Sequence, residues 1–263
     1  MANQVSYRAN DCSEVVPALE NIIDRCVEQH NPIGFFASLY RLTTIKILNA
    51  VENEEFEDNR RMELMDLNFA NRYLGAIEAH FNGEKATQAW EATFEAAADP
   101  KVTVLQHLFL GMNAHINLDL GVAAAYTCPQ DKIFGFANDF NQINGVLESL
   151  FDIVCKDLHE IWPPLKIFDK FGKPLENIVL SIGMETERRL AWEKAIVLAQ
   201  SSEVHYKEAF KEIDFDAFRI GERILHPGFL LKPLFRLVKS EEKGTVSEQI
   251  MQFHNTADEI GVI

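Results

Sequence analysis

At 263 residues with 47% apolar side chains, the chain is long enough to bury a sizeable core and too apolar to be disordered. Its 40 acidic residues against 25 basic ones leave a formal charge of −15, which repels phosphate backbones and argues against nucleic acid as a partner. No run of about 18 apolar residues exists that could span a membrane. The start, MANQVSYRANDCSE, has no apolar run behind basic residues and so predicts no signal peptide and, by default, a cytoplasmic location. The four cysteines, Cys12, Cys26, Cys128 and Cys155, form no CxxC pair and no zinc-knuckle spacing, and they read as buried free thiols.

Strand signals are scarce: no run alternates β-branched residues, and no hairpin turn joins two such runs. Helix signals are plentiful. Ser13 is placed to cap a first helix ending near residue 29, which Asn31-Pro32 breaks. A second helix over 34–51 carries Phe35, Leu39, Leu42, Ile45 and Leu48 at helical spacing. The acidic stretch 52–58 reads as a solvated loop or helix start. A third helix over 59–81 stops at the C-cap pair Asn82-Gly83. A short helix follows around Trp90 and Phe94. Asp99-Pro100 reads as the start of a helix reaching Tyr126. Cys128-Pro129 opens another, to about residue 160, where Trp162-Pro163-Pro164 ends it. Further helices are expected over 177–200, 202–211, 215–225 and 246–260. With no repeats, low-complexity tracts or flexible linkers, the expected fold is all-α: a single domain over 1–263, built as an array of antiparallel helices around a buried central helix.

That central helix, 102–126, is apolar nearly all round, which places it inside the protein. It nevertheless carries His107, Asn113, His115, Asn117 and Asp119. Burying a neutral polar group without a partner costs about 1–3 kcal/mol, so five in one helix need an explanation. His107, Gly111, His115 and Asp119 recur every four residues and form one ridge, with Gly111 leaving space between the histidines. Asn113 and Asn117 form a second seam on roughly the opposite side. His and Asp one turn apart can share a metal ion or form a hydrogen-bonded pair without one. His80 and Asp139 are further ligand or base candidates by type alone. On the structural alternative, Asp119 pairs with Arg41, Arg72 or Arg188, and the histidine and asparagines form a satisfied polar layer. The Glu-x-x-His pattern of di-iron bundles is absent.

The run LGMNAHINLDLGVAAA, over 110–125, is similar to the core motif of an uncharacterised bacterial family of domains of unknown function. FFASLYRLTT, FANRYLGAIEAHF, the tryptophan of QAWEATFEAA, and NDFNQINGVL resemble that family too, so the likeness spans roughly 35–192. It implies kinship and no established activity. A looser likeness is to the helical zinc phospholipase C and nuclease group, which carries Leu-Gly, then His, then Asp one turn on, as Gly111, His115 and Asp119 do. That group has a Pro-x-His soon after the Asp; here Asp119 is followed by LGVAAA, so the likeness is an analogy.

The segment HPGFLLKPLFRLVK, 226–239, is a basic, apolar patch in an acidic chain. It reads as a peripheral membrane contact or as a core-packed loop and short helix whose lysines snorkel. No G-x-S-x-G elbow and no phosphate-binding glycine loop are present. The leading expectation is a metal-dependent hydrolase of an apolar or ester-like small molecule. His115 and Asp119 would ligate zinc, or iron or manganese, His107 would add a ligand or carry a proton, and Asp139 would act as base or complete the shell. The alternative is a non-catalytic helical protein that binds an apolar small molecule or a protein partner.

Overall fold

The computed structural model describes residues 5–143, 184–229 and 231–261, and all regular structure among them is helical. In chain order the helices are α1 (Val15–Glu28), α2 (Ile33–Glu52), α3 (Asn59–Phe81), α4 (Gln88–Glu95), α5 (Val104–Ala114), α6 (Gly121–Thr127), α7 (Met184–Gln200), α8 (Glu203–Leu225), α9 (Lys232–Glu241) and α10 (Val246–Gly261). A π-helical turn, His115–Leu120, joins α5 to α6, so 104–127 is one helical rod with a single widened turn. From Val102 to Ala125 every residue is buried except the half-buried Met112. α2, α3, α4, α7 and α8 all pack against that rod. The reason is the one its composition implies: a helix without a polar stripe lowers its free energy only by removing every face from water.

Several helix boundaries fall where local chemistry puts them. α3 ends in a Schellman motif: Gly83 takes φ +74°, its N–H bonds the His80 carbonyl, and the Glu84 N–H bonds the Ala79 carbonyl. The rod does not start at Asp99-Pro100. Its N-cap is Thr103, whose hydroxyl accepts from the Gln106 N–H while the Gln106 side chain accepts from the Thr103 N–H, a complete capping box. Asp99 instead accepts from the Lys101 N–H in the preceding turn. Asp11, not Ser13, caps the first turn. The two helices expected over 202–211 and 215–225 are one. At the supposed junction Asp214 turns inward and accepts from the Gln88 and Ala89 N–H groups at 2.9 and 3.0 Å, capping α4 from α8. Cys128-Pro129 opens a 3₁₀ turn, Gln130–Phe136, with helix resuming over 137–143. The rest of that expected helix, the Trp162-Pro163-Pro164 stop, Cys155, 177–183 and the Arg188 side chain lie outside the described residues.

Glycines show how tightly the rod is seated. A Cβ at Gly111 would overlap the ring of Phe36, so the gap expected between the histidines is filled by that ring. Phe36 is itself held by Tyr73, Trp90 and His115, at centroid distances of 5.2, 5.7 and 5.8 Å. Gly75 on α3 is the opposite case, with nothing within 4 Å of an added Cβ. The same substitution therefore has opposite signs at the two sites. Gly111→Ala is expected to destabilise by about 2–3 kcal/mol or more through overpacking, and Gly75→Ala to stabilise by about 0.5–1 kcal/mol through helix propensity. Urea unfolding midpoints of the two variants check both.

Asp66 on α3 is a buried carboxyl that the core leaves partly unsatisfied. It is 3% exposed, one carboxyl oxygen has no partner among the described residues, and burial raises its pKa to about 7. The folded pKa lies above the unfolded one, so Asp66 favours folding fully below about pH 4 and loses that contribution as pH rises to about 7. Asp66→Asn removes the loss. Measured at each pH against wild type, the variant is expected to gain about 1.4 kcal/mol per unit between pH 4 and 7. A difference that stays flat across that range would show that Asp66 ionises normally.

Candidate functional site

The seam at the middle of the rod closes on Asp119, which has no solvent exposure. Its two oxygens accept three hydrogen bonds. Arg72 Nε of α3 donates to Oδ1 at 2.9 Å, Trp90 Nε1 of α4 donates to Oδ2 at 2.9 Å, and His115 Nδ1 lies 3.2 Å from Oδ2. Of the three arginines weighed from sequence, Arg72 is the partner; Arg41 pairs with Glu20 on the surface of α1. Trp90 was missed as a partner, although a buried indole N–H nearly always finds an acceptor.

His115 sits in an aromatic box. Its ring stacks on Phe69 with centroids 3.7 Å apart and planes 9° from parallel, and meets Tyr40 edge-on at 4.4 Å. Burial lowers the His115 pKa, and the hydrogen bond and charge of Asp119 offset this only in part. The imidazole is therefore neutral; we assign the proton to Nδ1 because only that nitrogen has an acceptor. Nε2 is buried with no hydrogen-bond partner among the described residues.

The other sequence candidates stand elsewhere. His107 is buried beside Phe35, and burial, with the Lys239 charge adding to it, pushes its pKa down to about 3. His80 packs on Phe94 at the end of α3, with its pKa lowered by burial. Asp139 is fully buried but accepts from Arg61 Nη2 at 2.6 Å and the Glu57 N–H at 2.7 Å, where it ties 137–143 to the loop before α3. Among the described residues no three His, Cys, Asp or Glu side chains converge closely enough to hold a metal ion. The asparagine seam docks α8: Asn117 donates to Asn113 Oδ1 at 2.9 Å, and Asn113 donates to the Ala217 carbonyl at 2.8 Å.

Two cavities border this framework. Arg72 and Trp90, the donors to Asp119, line the inner wall of a cavity of about 740 Å³ between α3, α4, α6 and α8. A larger cleft of about 1230 Å³ lies between α4, α8 and α9. The basic segment contributes His226, Lys232, Phe235, Arg236 and Lys239 to that cleft. Within the segment Val238 is fully buried while Phe229 is 80% exposed, and Leu230 lies outside the described residues. Lys239 donates to the Val102 carbonyl at 2.8 Å and pairs with Glu242, so part of the segment's charge serves to anchor α9 on the start of the rod. Among the described residues no helix is long and apolar enough to cross a membrane.

No curated protein and no solved structure matches the chain. A family model does match, over residues 12–227, and it contains the whole of the seam, the aromatic box and most of both cavity walls. The chain belongs to the family of unknown function DUF5995.

Proposed function

We propose that this protein is a non-catalytic helical binder of a small molecule, which it takes into the 740 Å³ cavity, and that the His115–Asp119 layer holds the wall of that cavity in place. The observation that carries this reading is the division of labour at Asp119. Both of its oxygens are committed to fixing Arg72 and Trp90, and both of those side chains line the cavity. A volume of 740 Å³ falls in the range of small-molecule sites, and the wall mixes apolar surface with a few fixed polar groups. The buried unpaired thiols Cys12, Cys26 and Cys128 fit a reducing, cytoplasmic setting.

A metal-dependent hydrolase is the second reading. What favours it is the free lone pair of His115 Nε2 and the π turn beneath it, a distortion frequent at functional sites. Zinc, iron or manganese would need that nitrogen and an Asp119 oxygen together, with ligands beyond those that the described residues bring near. Peripheral membrane contact through 226–239 rests on the exposed Phe229 beside Lys232 and Arg236.

Two measurements separate the readings. In a thermal-shift screen of small organic molecules, compounds that raise the Tm of wild type are expected to leave Gly75→Leu unmoved, because that side chain grows into open cavity space. Hits that stabilise both proteins equally would place binding elsewhere. His115→Ala is expected to lower stability by about 2–4 kcal/mol, through the emptied ring volume and the lost donor, and a chelator should not change the wild-type Tm. A chelator-sensitive wild type, with metal content lost in His115→Ala, would establish the hydrolase reading instead.

A further inference from the structure

We infer that the molecule bound in the 740 Å³ cavity is an organic anion whose carboxylate or phosphate group meets Arg72, with Arg8 and Lys85 at the rim, and whose body is flat and apolar. This rests on the binding reading above and adds the ligand's chemical class.

The charge pattern is the first ground. The chain carries 40 acidic and 25 basic residues, yet among the described residues the cavity is lined by three cations and no aspartate or glutamate. In the neighbouring 1230 Å³ cleft, Glu91, Glu95, Asp99 and Glu222 stand among the basic groups. Arg8 and Lys85 make no ion pair among the described residues. Arg8 stands at the mouth of this half-open cavity, and Lys85 on the lip that the cavity shares with the cleft, where their positive potential draws an anion.

The second ground is the state of Arg72. Its Nε donates to Asp119, and among the described residues its terminal nitrogens make no hydrogen bond. The guanidinium is only partly exposed, with 30% of the side chain reached by solvent, and Phe210 lies 5.4 Å from its carbon. A guanidinium pinned through one edge keeps the paired donors that match a carboxylate or phosphate, already oriented. Tyr206, whose hydroxyl burial shifts further above its ordinary range, stands on the α8 wall as a further donor. The Thr87 hydroxyl at the start of α4 is buried with no partner among the described residues.

The third ground is that the backbone carrying Arg8 is fixed by hydrogen bonds, which sets its exposed side chain at the cavity rim. The Asn71 side chain receives the Ala9 N–H at 3.0 Å and donates to the Ala9 carbonyl at 2.9 Å, and Glu78 accepts the Tyr7 N–H at 2.8 Å. These bonds lay the extended residues before α1 along α3 and set Arg8 at the cavity rim. The remaining wall is apolar and aromatic, with Tyr126 74% exposed and Trp90, Val122, Ala123 and Ala76 buried.

The test uses two dyes that share an N-phenylnaphthylamine body: 8-anilino-1-naphthalenesulfonate, which is anionic, and N-phenyl-1-naphthylamine, which is neutral. Fluorescence titration of wild type is expected to show the anionic dye bound at least about tenfold more tightly. That preference should shrink in about 0.5 M sodium chloride, disappear in the Arg8→Gln/Lys85→Gln double variant, and binding should be lost in Gly75→Leu. Both changed cations are exposed, so the double variant is expected to keep the wild-type Tm. Competition by benzoate and by phenyl phosphate then tells a carboxylate ligand from a phosphate one. If both dyes bind equally and both are lost in Gly75→Leu, the cavity reading stands and the anionic ligand is overturned. If the dyes fail to bind, or bind Gly75→Leu as they bind wild type, the cavity reading falls and this inference with it.

Discussion

A carboxylate removed from water has to be given back the hydrogen bonds and the opposing charge that water supplied. Asp119 is fully buried, and the surrounding architecture is arranged around that demand. Its donors come from α3, from α4 and from its own helix, so three elements meet at one pair of oxygens. His115 is neutral, which leaves Arg72 as the one charge paired with the carboxylate among the described residues. Losing a partner from such a pair is strongly destabilising, by about 3–5 kcal/mol, because the remaining charge stays buried. The bond from Arg72 thus fixes α3 against the rod, and the bond from Trp90 fixes α4. Close packing on the far side completes the constraint: a Cβ at Gly121 would approach the Ala191 carbonyl to 2.9 Å, so α7 lies directly on the backbone there.

Why histidine occupies position 115 follows from the same geometry. The site demands a flat ring to stack 3.7 Å from Phe69 and an N–H aimed at Asp119. Phenylalanine supplies the ring without the donor, and asparagine supplies the donor without the ring. A charged imidazolium would bring a third charge into a box of Tyr40, Phe69, Tyr73 and Phe36, where nothing solvates it. The neutral tautomer meets both demands and leaves one lone pair over, which accounts for the orphaned Nε2 without assigning it a ligand.

Much of this was legible in the chain. The rod announced itself through an unbroken apolar surface, the His115–Asp119 contact through four-residue spacing, and an arginine partner through the requirement that a buried carboxylate find a cation, though the choice of Arg72 over Arg41 or Arg188 came only with the structure. Some misses were local, such as the rod starting at the Thr103 capping box and not at Asp99-Pro100, but periodicity describes one helix at a time, and the misses at the site were between helices. Gly111 read as a gap because nothing in its own helix fills it; the filler, Phe36, comes from α2. His107 lies on the same ridge but beyond that ring, so shared spacing did not become shared space. Asp139 was the right residue type with a different partner, Arg61, 78 positions away. Asp214 looked like a break between two helices because its role, capping α4 across 126 positions, leaves no local signature.

The buried layer and the cavity are linked by the identity of Arg72. A guanidinium has two usable edges, and a protein that needed only a counter-charge for Asp119 could have buried both or used a compact ammonium. Here one edge faces inward to a carboxylate and the other lies toward an acid-free cavity. The inward bond raises the cost of moving the outward donors, which is how a site gains orientation before any ligand arrives. Trp90 has the same two-sided arrangement, its N–H turned to Asp119 and its ring on the cavity wall. The polar seam that first suggests chemistry inside the rod therefore fixes the two side chains, Arg72 and Trp90, that border the cavity.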